Sequence, residues 1–242
     1  MQPRVLLAIA LIASTVGSAA AAPRAPTRKA KVGPPRAERT PFEPEIRAFQ
    51  RFDQVARPEP GGFVFTGSSS IRLWKGLEDD FRGYPVINRG FGGSHIAHST
   101  RYADKIILPY RPRAILLYAG SNDLHDGKTP ARVVADYRAF VAKIHAGLPE
   151  ARIAFVSIAP SRARWDELDR VREVNRRIAA YTATDPRLHF IDVFSAMLGA
   201  DGRPLRGIYV KDGLHLTRKG YLIWHDRIAP HMPALMWGAA RP

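Results

Sequence analysis

The stretch Gly61-Gly62-Phe63-Val64-Phe65-Thr66-Gly67-Ser68-Ser69-Ser70-Ile71-Arg72-Leu73-Trp74 decides how the chain is read. It opens as an apolar, β-prone run, breaks at Gly67, passes three hydroxyls and turns amphipathic at Ile71, Leu73 and Trp74. That pattern predicts a buried strand, a tight turn and a helix start. The turn places a serine at the carboxyl end of a strand, where backbone N–H groups point outward and favour negative charge. The same three serines could equally do no more than cap the helix.

The pattern repeats on both sides of this stretch. Glu45 to Val55 places Ile46, Phe49, Phe52 and Val55 at helical spacing, which predicts a short entry helix with both phenylalanines in the core. Tyr84-Pro85-Val86-Ile87-Asn88 reads as a second strand, running into the glycine-rich turn Arg89-Gly90-Phe91-Gly92-Gly93-Ser94-His95 and a helix over 96–108. Ala114 to Ala119 is a continuous apolar run, expected of a strand covered on both faces, and it ends in Gly120-Ser121-Asn122-Asp123. A helix is expected over 130–148, with Pro130 in its first turn, then a strand over 152–158, a long charged helix over 165–182 and a fifth strand over 188–192. The last polar turn, Asp212-Gly213-Leu214-His215, precedes a final helix beginning near Leu216.

Five strands alternating with helices predict an α/β fold: one three-layer α/β/α domain around a five-stranded parallel, flavodoxin-like sheet. In such a sheet the ligand crevice lies at the carboxyl ends of the strands. Four polar turns fall there, at 67–70, 90–95, 120–123 and 212–215. Each alone reads most simply as a tight turn or a helix cap.

Composition narrows the chemistry. The 242 residues carry a net charge of +15 and no cysteine, which excludes disulfides, thiolate metal sites and a cysteine nucleophile. Met1 to Arg4 is a short positive segment, Val5 to Val16 an apolar run too short to span a bilayer comfortably, and Ser18 to Ala22 a string of small residues. Residues 1–21 are therefore expected to be a signal peptide cut after Ala21, the alternative being an uncleaved anchor. An exported protein, periplasmic or secreted, follows. Residues 22–41 hold six basic side chains against Glu38 alone, with many prolines, and read as a disordered tether before a domain over 42–242. The basic surface admits peripheral contact with an anionic envelope polymer or lipid surface. No nucleic-acid-binding module is recognisable, and Gly90-x-Gly92-Gly93 lacks the spacing and acidic partner of a dinucleotide site. His95 and His98 could lie one helical turn apart, but no carboxylate cluster accompanies them, so no metal is expected.

Taken together and in order, the four turns resemble the blocks of the SGNH/GDSL hydrolase superfamily of esterases and lipases. Gly67-Ser68-Ser69 is similar to the Gly-Asp-Ser block, and Asn88-Arg89-Gly90-Phe91-Gly92-Gly93 to the Asn-x-Gly-x-Gly-Gly turn. Gly120-Ser121-Asn122-Asp123 is similar to Gly-x-Asn-Asp, and Asp212-Gly213-Leu214-His215 to Asp-x-x-His. The resemblance covers about residues 62 to 232. It implies Ser69 as nucleophile, His215 as its base, Asp212 as the residue that orients the imidazole, and an oxyanion hole from Ser69 N–H, Gly93 N–H and the Asn122 amide. It implies no cofactor. Two departures stand out. Ser68 replaces the aspartate of the first block, leaving three adjacent hydroxyls, and Ser94-His95 stands where many relatives have Asp-Thr.

Candidate substrate contacts are Arg162, Arg164 and Trp165 after the fourth strand, and Tyr209 and Val210 before the last turn. The expected activity is that of an exported serine esterase cleaving short acyl or acetyl esters of a small molecule, glycan or lipid. The alternatives are acyl transfer by the same residues, and a non-catalytic protein that binds envelope polymer or lipid.

Overall fold

In a computed structural model, residues 40–238 are described. The expected signal peptide, and all of the expected tether except Thr40 and Pro41, lie outside the described residues. Thr40 already belongs to the fold, its hydroxyl sharing a hydrogen bond with the Tyr102 hydroxyl.

The elements run in the order α1 (Glu43–Val55), β1 (Phe63–Gly67), α2 (Ser69–Arg72), α3 (Leu77–Asp80), β2 (Val86–Gly90), α4 (Ile96–Ile106), β3 (Ala114–Tyr118), α5 (Ser121–His125), α6 (Pro130–Gly147), β4 (Arg152–Val156), α7 (Leu168–Thr182), β5 (Leu188–Ile191), α8 (Arg218–Ile228) and α9 (Met232–Trp237). All strand pairs are parallel, and the sheet order is β2-β1-β3-β4-β5. This is the flavodoxin-like order, whose direction of winding reverses between β1 and β3.

Alternate side chains of each strand face opposite layers. Val64, Ile115, Leu117, Ile153 and Phe155 pack with Ile46 of α1, Tyr102 of α4, Tyr137 of α6 and Val174 of α7. Phe63, Phe65, Leu116, Val156 and Ile191 pack with Ile71 of α2, Leu77 of α3, Trp224 of α8 and Leu235 of α9. Burial on both faces explains why the central strands read as unbroken apolar runs.

The differences from expectation lie at element ends and in short helices. α4 stops at Ile106, and a single 3-10 turn over Leu108–Tyr110 follows. Trp165–Glu167 is likewise a 3-10 turn ahead of α7. α3, α5 and α9 span only four to six residues, too few for periodicity to be legible. Phe49 packs on the core as expected, but Phe52 is 60% exposed, because α1 covers the sheet with one narrow stripe centred on Ile46.

Arg218 joins α8 to the segment after β1. Its guanidinium donates to both oxygens of Asp80 at 2.5 Å, and Asp80 also accepts the indole N–H of Trp74 at 2.7 Å. The Asp80 side chain is only 6% exposed. Hydrogen bonding to Arg218 holds its carboxyl below the usual carboxylate range, against burial, with Trp74 helping. A pKa lower in the folded than in the unfolded state stabilises the fold at pH values above about 4 and ceases to do so as pH falls through the folded value. Asp80→Asn should therefore cost about 1–2 kcal/mol at neutral pH, the low end for a charged hydrogen bond because Arg218 is largely solvated. Thermal melts should show the gap between wild type and variant closing below about pH 4. A gap of the same size at pH 7 and pH 3 would refute this account.

Candidate active site

The crest of the sheet between β1 and β3 is where the expected turns meet. The carbonyl of Tyr118, at the end of β3, accepts Ser68 N–H at 2.9 Å, pinning the chain as it leaves β1. Gly67 makes this possible: its φ is +122°, and a Cβ there would stand 2.0 Å from the Tyr118 carbonyl oxygen. No other residue type reaches this conformation without strain. The Gly67 carbonyl in turn accepts Phe91 N–H at 2.9 Å and the buried Ser94 hydroxyl at 3.0 Å, tying the turn after β2 to the turn after β1.

α2 is held from two sides. Asn88 donates to the Ile71 carbonyl at 2.6 Å while its own oxygen accepts Gly90 N–H at 2.9 Å. Tyr221 of α8 donates to the Ser70 carbonyl at 2.8 Å. Ser68 and Ser70 are buried by these contacts. Ser69 alone of the three stays partly open, facing the cleft.

His215 stands over Ser69, with Nε2 at 2.9 Å from Ser69 Oγ and Nδ1 at 2.6 Å from Asp212 Oδ2. The other oxygen of Asp212 accepts the backbone N–H groups of Leu214 and His215 at 2.8 and 2.9 Å. Burial pushes the Asp212 carboxyl up, but the His215 ring and these two N–H groups outweigh it and bring it down to about 2. An ionised Asp212 accepts a proton-bearing Nδ1, which leaves Nε2 as the acceptor facing Ser69.

Gly93 and Asn122 close the cleft. Gly93 is exposed and takes φ +74°. Asn122 spends one amide hydrogen on the Ser94 carbonyl at 3.2 Å, leaving the second for the cleft. Its neighbour Asp123 is fully buried and accepts Ile96 N–H at 3.2 Å and the Lys128 ammonium at 2.6 Å. The Asn-Asp pair thus splits into one side chain facing out and one anchoring the start of α4.

The cleft has a volume of about 460 Å³ and is lined by Glu45, Ser69, Arg72, Gly92, Gly93, Asn122, Arg164, Leu214 and His215. A larger cavity of about 680 Å³, bordered by Arg111, Arg113, Arg152 and Trp237, lies at the amino ends of β3 and β4 and touches none of these residues.

The expected substrate contacts fare unequally. Arg164 lines the cleft. Arg162 does not: its side chain is exposed, and its backbone N–H donates to the Gly213 carbonyl at 3.1 Å. Trp165 lies under the Arg203 guanidinium, 5.3 Å from the ring centre, away from the cleft. Tyr209 is buried and its hydroxyl donates to the Pro160 carbonyl, so it has no group to offer a substrate. Val210 is partly exposed and does not border the cleft. The loop after β4 docks on the loop carrying His215 through the Gly213 carbonyl, and of its two arginines Arg164 lines the cleft.

Glu45 and Arg72 are the lining residues that sequence reading missed. Glu45 sits on α1, where it accepts Gly92 N–H at 3.3 Å and pairs with Arg72 at 3.5 Å. Nothing local marks an acid on an entry helix as part of a site some 24 residues onward. His95 stacks on His98 with ring centres 4.9 Å apart and bonds Asp126 at 2.6 Å, so it braces the start of α4. Among the described residues no group of three or more His, Asp or Glu side chains is placed to hold a metal ion. No helix among them is long and apolar enough to cross a membrane.

A hydrogen-bonded row of Asp212, His215 and Ser69 at the crest of a parallel α/β/α sheet has the arrangement of a hydrolase site. More particularly, residues 64–223 match the model of the GDSL-like Lipase/Acylhydrolase family, and the chain belongs to that family. Over 179 residues it is 27% identical to platelet-activating factor acetylhydrolase IB subunit alpha1 of Homo sapiens, covering 71% of this chain and 75% of the relative. Among solved structures it is similar in fold to a GDSL-like lipase from Bacteroides thetaiotaomicron, with a TM-score of 0.68 and 19% identity over 78% of this chain and 97% of the other. A carbohydrate esterase family 3 structure from Talaromyces cellulolyticus gives a TM-score of 0.59 at 15% identity, covering 74% of this chain and all of the other.

Proposed function

We propose that the protein is an exported serine esterase that cleaves short acyl esters through an acyl-enzyme. The observation that carries this reading is the hydrogen-bonded chain Asp212–His215–Ser69, with links of 2.6 and 2.9 Å, ending on the one serine of three that faces the cleft. Ser69 Oγ attacks the carbonyl carbon as His215 Nε2 takes its proton, and Asp212 stabilises the resulting imidazolium. The oxyanion is received by the N–H groups of Ser69 and Gly93 and the spare Asn122 amide hydrogen. His215 then protonates the departing alkoxide, and water, activated by the same ring, releases the acid.

Three features support short acyl groups. The cleft is small, Leu214 is its only large apolar wall, and Glu45, Arg72 and Arg164 make the remainder charged. A long acyl chain gains about 0.8 kcal/mol per methylene only where apolar surface covers it. The name of the curated relative, an acetylhydrolase subunit, points the same way. With p-nitrophenyl esters, kcat/KM should not rise from acetate to octanoate, since added methylenes find no apolar wall to cover them. A rise along that series would refute the short-acyl reading. Export rests on residues 1–21, and N-terminal sequencing of the protein recovered outside the cytoplasm should begin at Ala22. The basic residues of 22–41 favour an anionic envelope surface nearby.

A further inference from the structure

The two arginines of the cleft are in different electrostatic states. Arg72 has a carboxylate partner, Glu45, at 3.5 Å. Arg164 is half-buried in the same cleft, and its Nη1 donates at 2.7 Å to a neutral group, the Ser121 hydroxyl. No carboxylate among the described residues forms an ion pair with it. A guanidinium carries five N–H donors in a planar fork, so the Ser121 bond orients Arg164 and leaves donors over for a second, charged acceptor.

The position of Arg164 says which part of a substrate would meet it. The chain before Arg164 is bolted to the loop that carries His215. The Gly213 carbonyl accepts Arg162 N–H at 3.1 Å, Ala163 N–H at 3.2 Å and the Ser161 hydroxyl at 3.0 Å. These bonds tie the segment leading to Arg164 to the loop of His215, the group that must reach the leaving oxygen.

We propose, resting on the esterase reading above, that the alcohol part of the substrate carries an anionic group, a carboxylate or a phosphate, which Arg164 receives. Both groups can present two oxygens to the guanidinium fork. Fixed by Ser121, the fork loses little side-chain freedom on binding. Arg164 is a specificity residue in this account and takes no part in bond making.

The experiment uses the full chain and two matched substrate pairs, each referred to its own spontaneous hydrolysis. 4-Acetoxybenzoate is compared with its methyl ester, and 4-acetoxyphenyl phosphate with 4-methoxyphenyl acetate. Wild type should prefer at least one anionic member by about tenfold in kcat/KM, as expected for one partly solvated charge-assisted hydrogen bond. The preferred pair identifies the group as carboxylate or phosphate. Arg164→Gln should lower kcat/KM for that anionic ester about tenfold more than for its neutral partner. The proposal is overturned if wild type prefers neither anion, or if the preference survives in R164Q. If no ester is turned over at all, the esterase reading fails, and calorimetric titration with 4-hydroxybenzoate and phenyl phosphate decides the anion subsite alone. Binding that R164Q loses supports it, while absent binding, or binding equal in both proteins, overturns it.

Discussion

Ser69→Ala is expected to lower kcat for p-nitrophenyl acetate by about five to six orders of magnitude. The hydroxyl is the only atom lost. The backbone N–H of residue 69 stays in place in the proposed oxyanion hole, and α2 stays tied through the Ile71 and Ser70 carbonyls to Asn88 and Tyr221. The variant should therefore melt within about 0.5 kcal/mol of wild type in stability terms, as is usual for a small change at a partly open position. What it loses is the covalent route. Hydrolysis must then proceed by direct attack of water, assisted only by the hole and by binding, which in serine hydrolases leaves roughly 10³ to 10⁴ over the uncatalysed rate. The neighbouring hydroxyls are the internal control. Ser68 and Ser70 are buried and turned from His215, so their alanine variants should still label with a fluorophosphonate probe, whereas S69A should not. A labelled, active S69A would remove Ser69 from the role assigned to it.

Asp212→Asn should cost about 10³-fold in kcat. The asparagine oxygen can keep both backbone N–H groups that Asp212 now accepts, those of Leu214 and His215. Its amide nitrogen must then face His215 Nδ1, now 2.6 Å from a carboxylate oxygen. Two N–H donors cannot share that contact, so the ring takes the other tautomer and presents a proton, not a lone pair, to Ser69. Loss of the negative charge adds a second penalty by destabilising the imidazolium. That part is reduced here, because the Asp212 side chain is 46% exposed and its field is screened. This is why the expected loss falls below the roughly 10⁴-fold seen when the orienting aspartate is deeply buried. With its pKa near 2, Asp212 is ionised at every pH at which the enzyme would be assayed. The deficit of D212N should therefore be nearly constant from about pH 6 to 9, where that carboxylate does not titrate. A deficit that vanished at one end of the range would mean that Asp212 acts by some means other than orienting the ring.

The family assignment gives these outcomes a wider use. The match begins at residue 64, so α1 lies outside it, yet α1 delivers Glu45 to the cleft wall. Glu45 pairs with Arg72 and touches the glycine turn through Gly92. The charge character of this cleft therefore depends partly on residues that precede the matched region.

Much of this was legible in the residues themselves. Strands buried on both faces must be apolar throughout, so β1, β3 and β4 show as runs that no other element imitates. Their alternation with amphipathic helices leaves few topologies, because parallel crossovers are right-handed and short. The four polar turns fall where strands end, so the sheet and the edge that bears the site could be read from the residues, while Ser69, Gly93, Asn122, Asp212 and His215 were named as candidates by the resemblance of those turns to the family's blocks. How side chains distant in sequence share space was set by the packing of the elements. Three adjacent serines differ in exposure because Tyr118, Asn88 and Tyr221 bury two of them. Tyr209 is lost to a substrate because its hydroxyl finds Pro160, and of the two arginines expected after the fourth strand only Arg164 lines the cleft. Glu45 enters from the first helix. Local pattern reports the period of burial along one element, whereas a cleft wall is set by which elements dock and which way each loop turns, and those depend on contacts that no local pattern records.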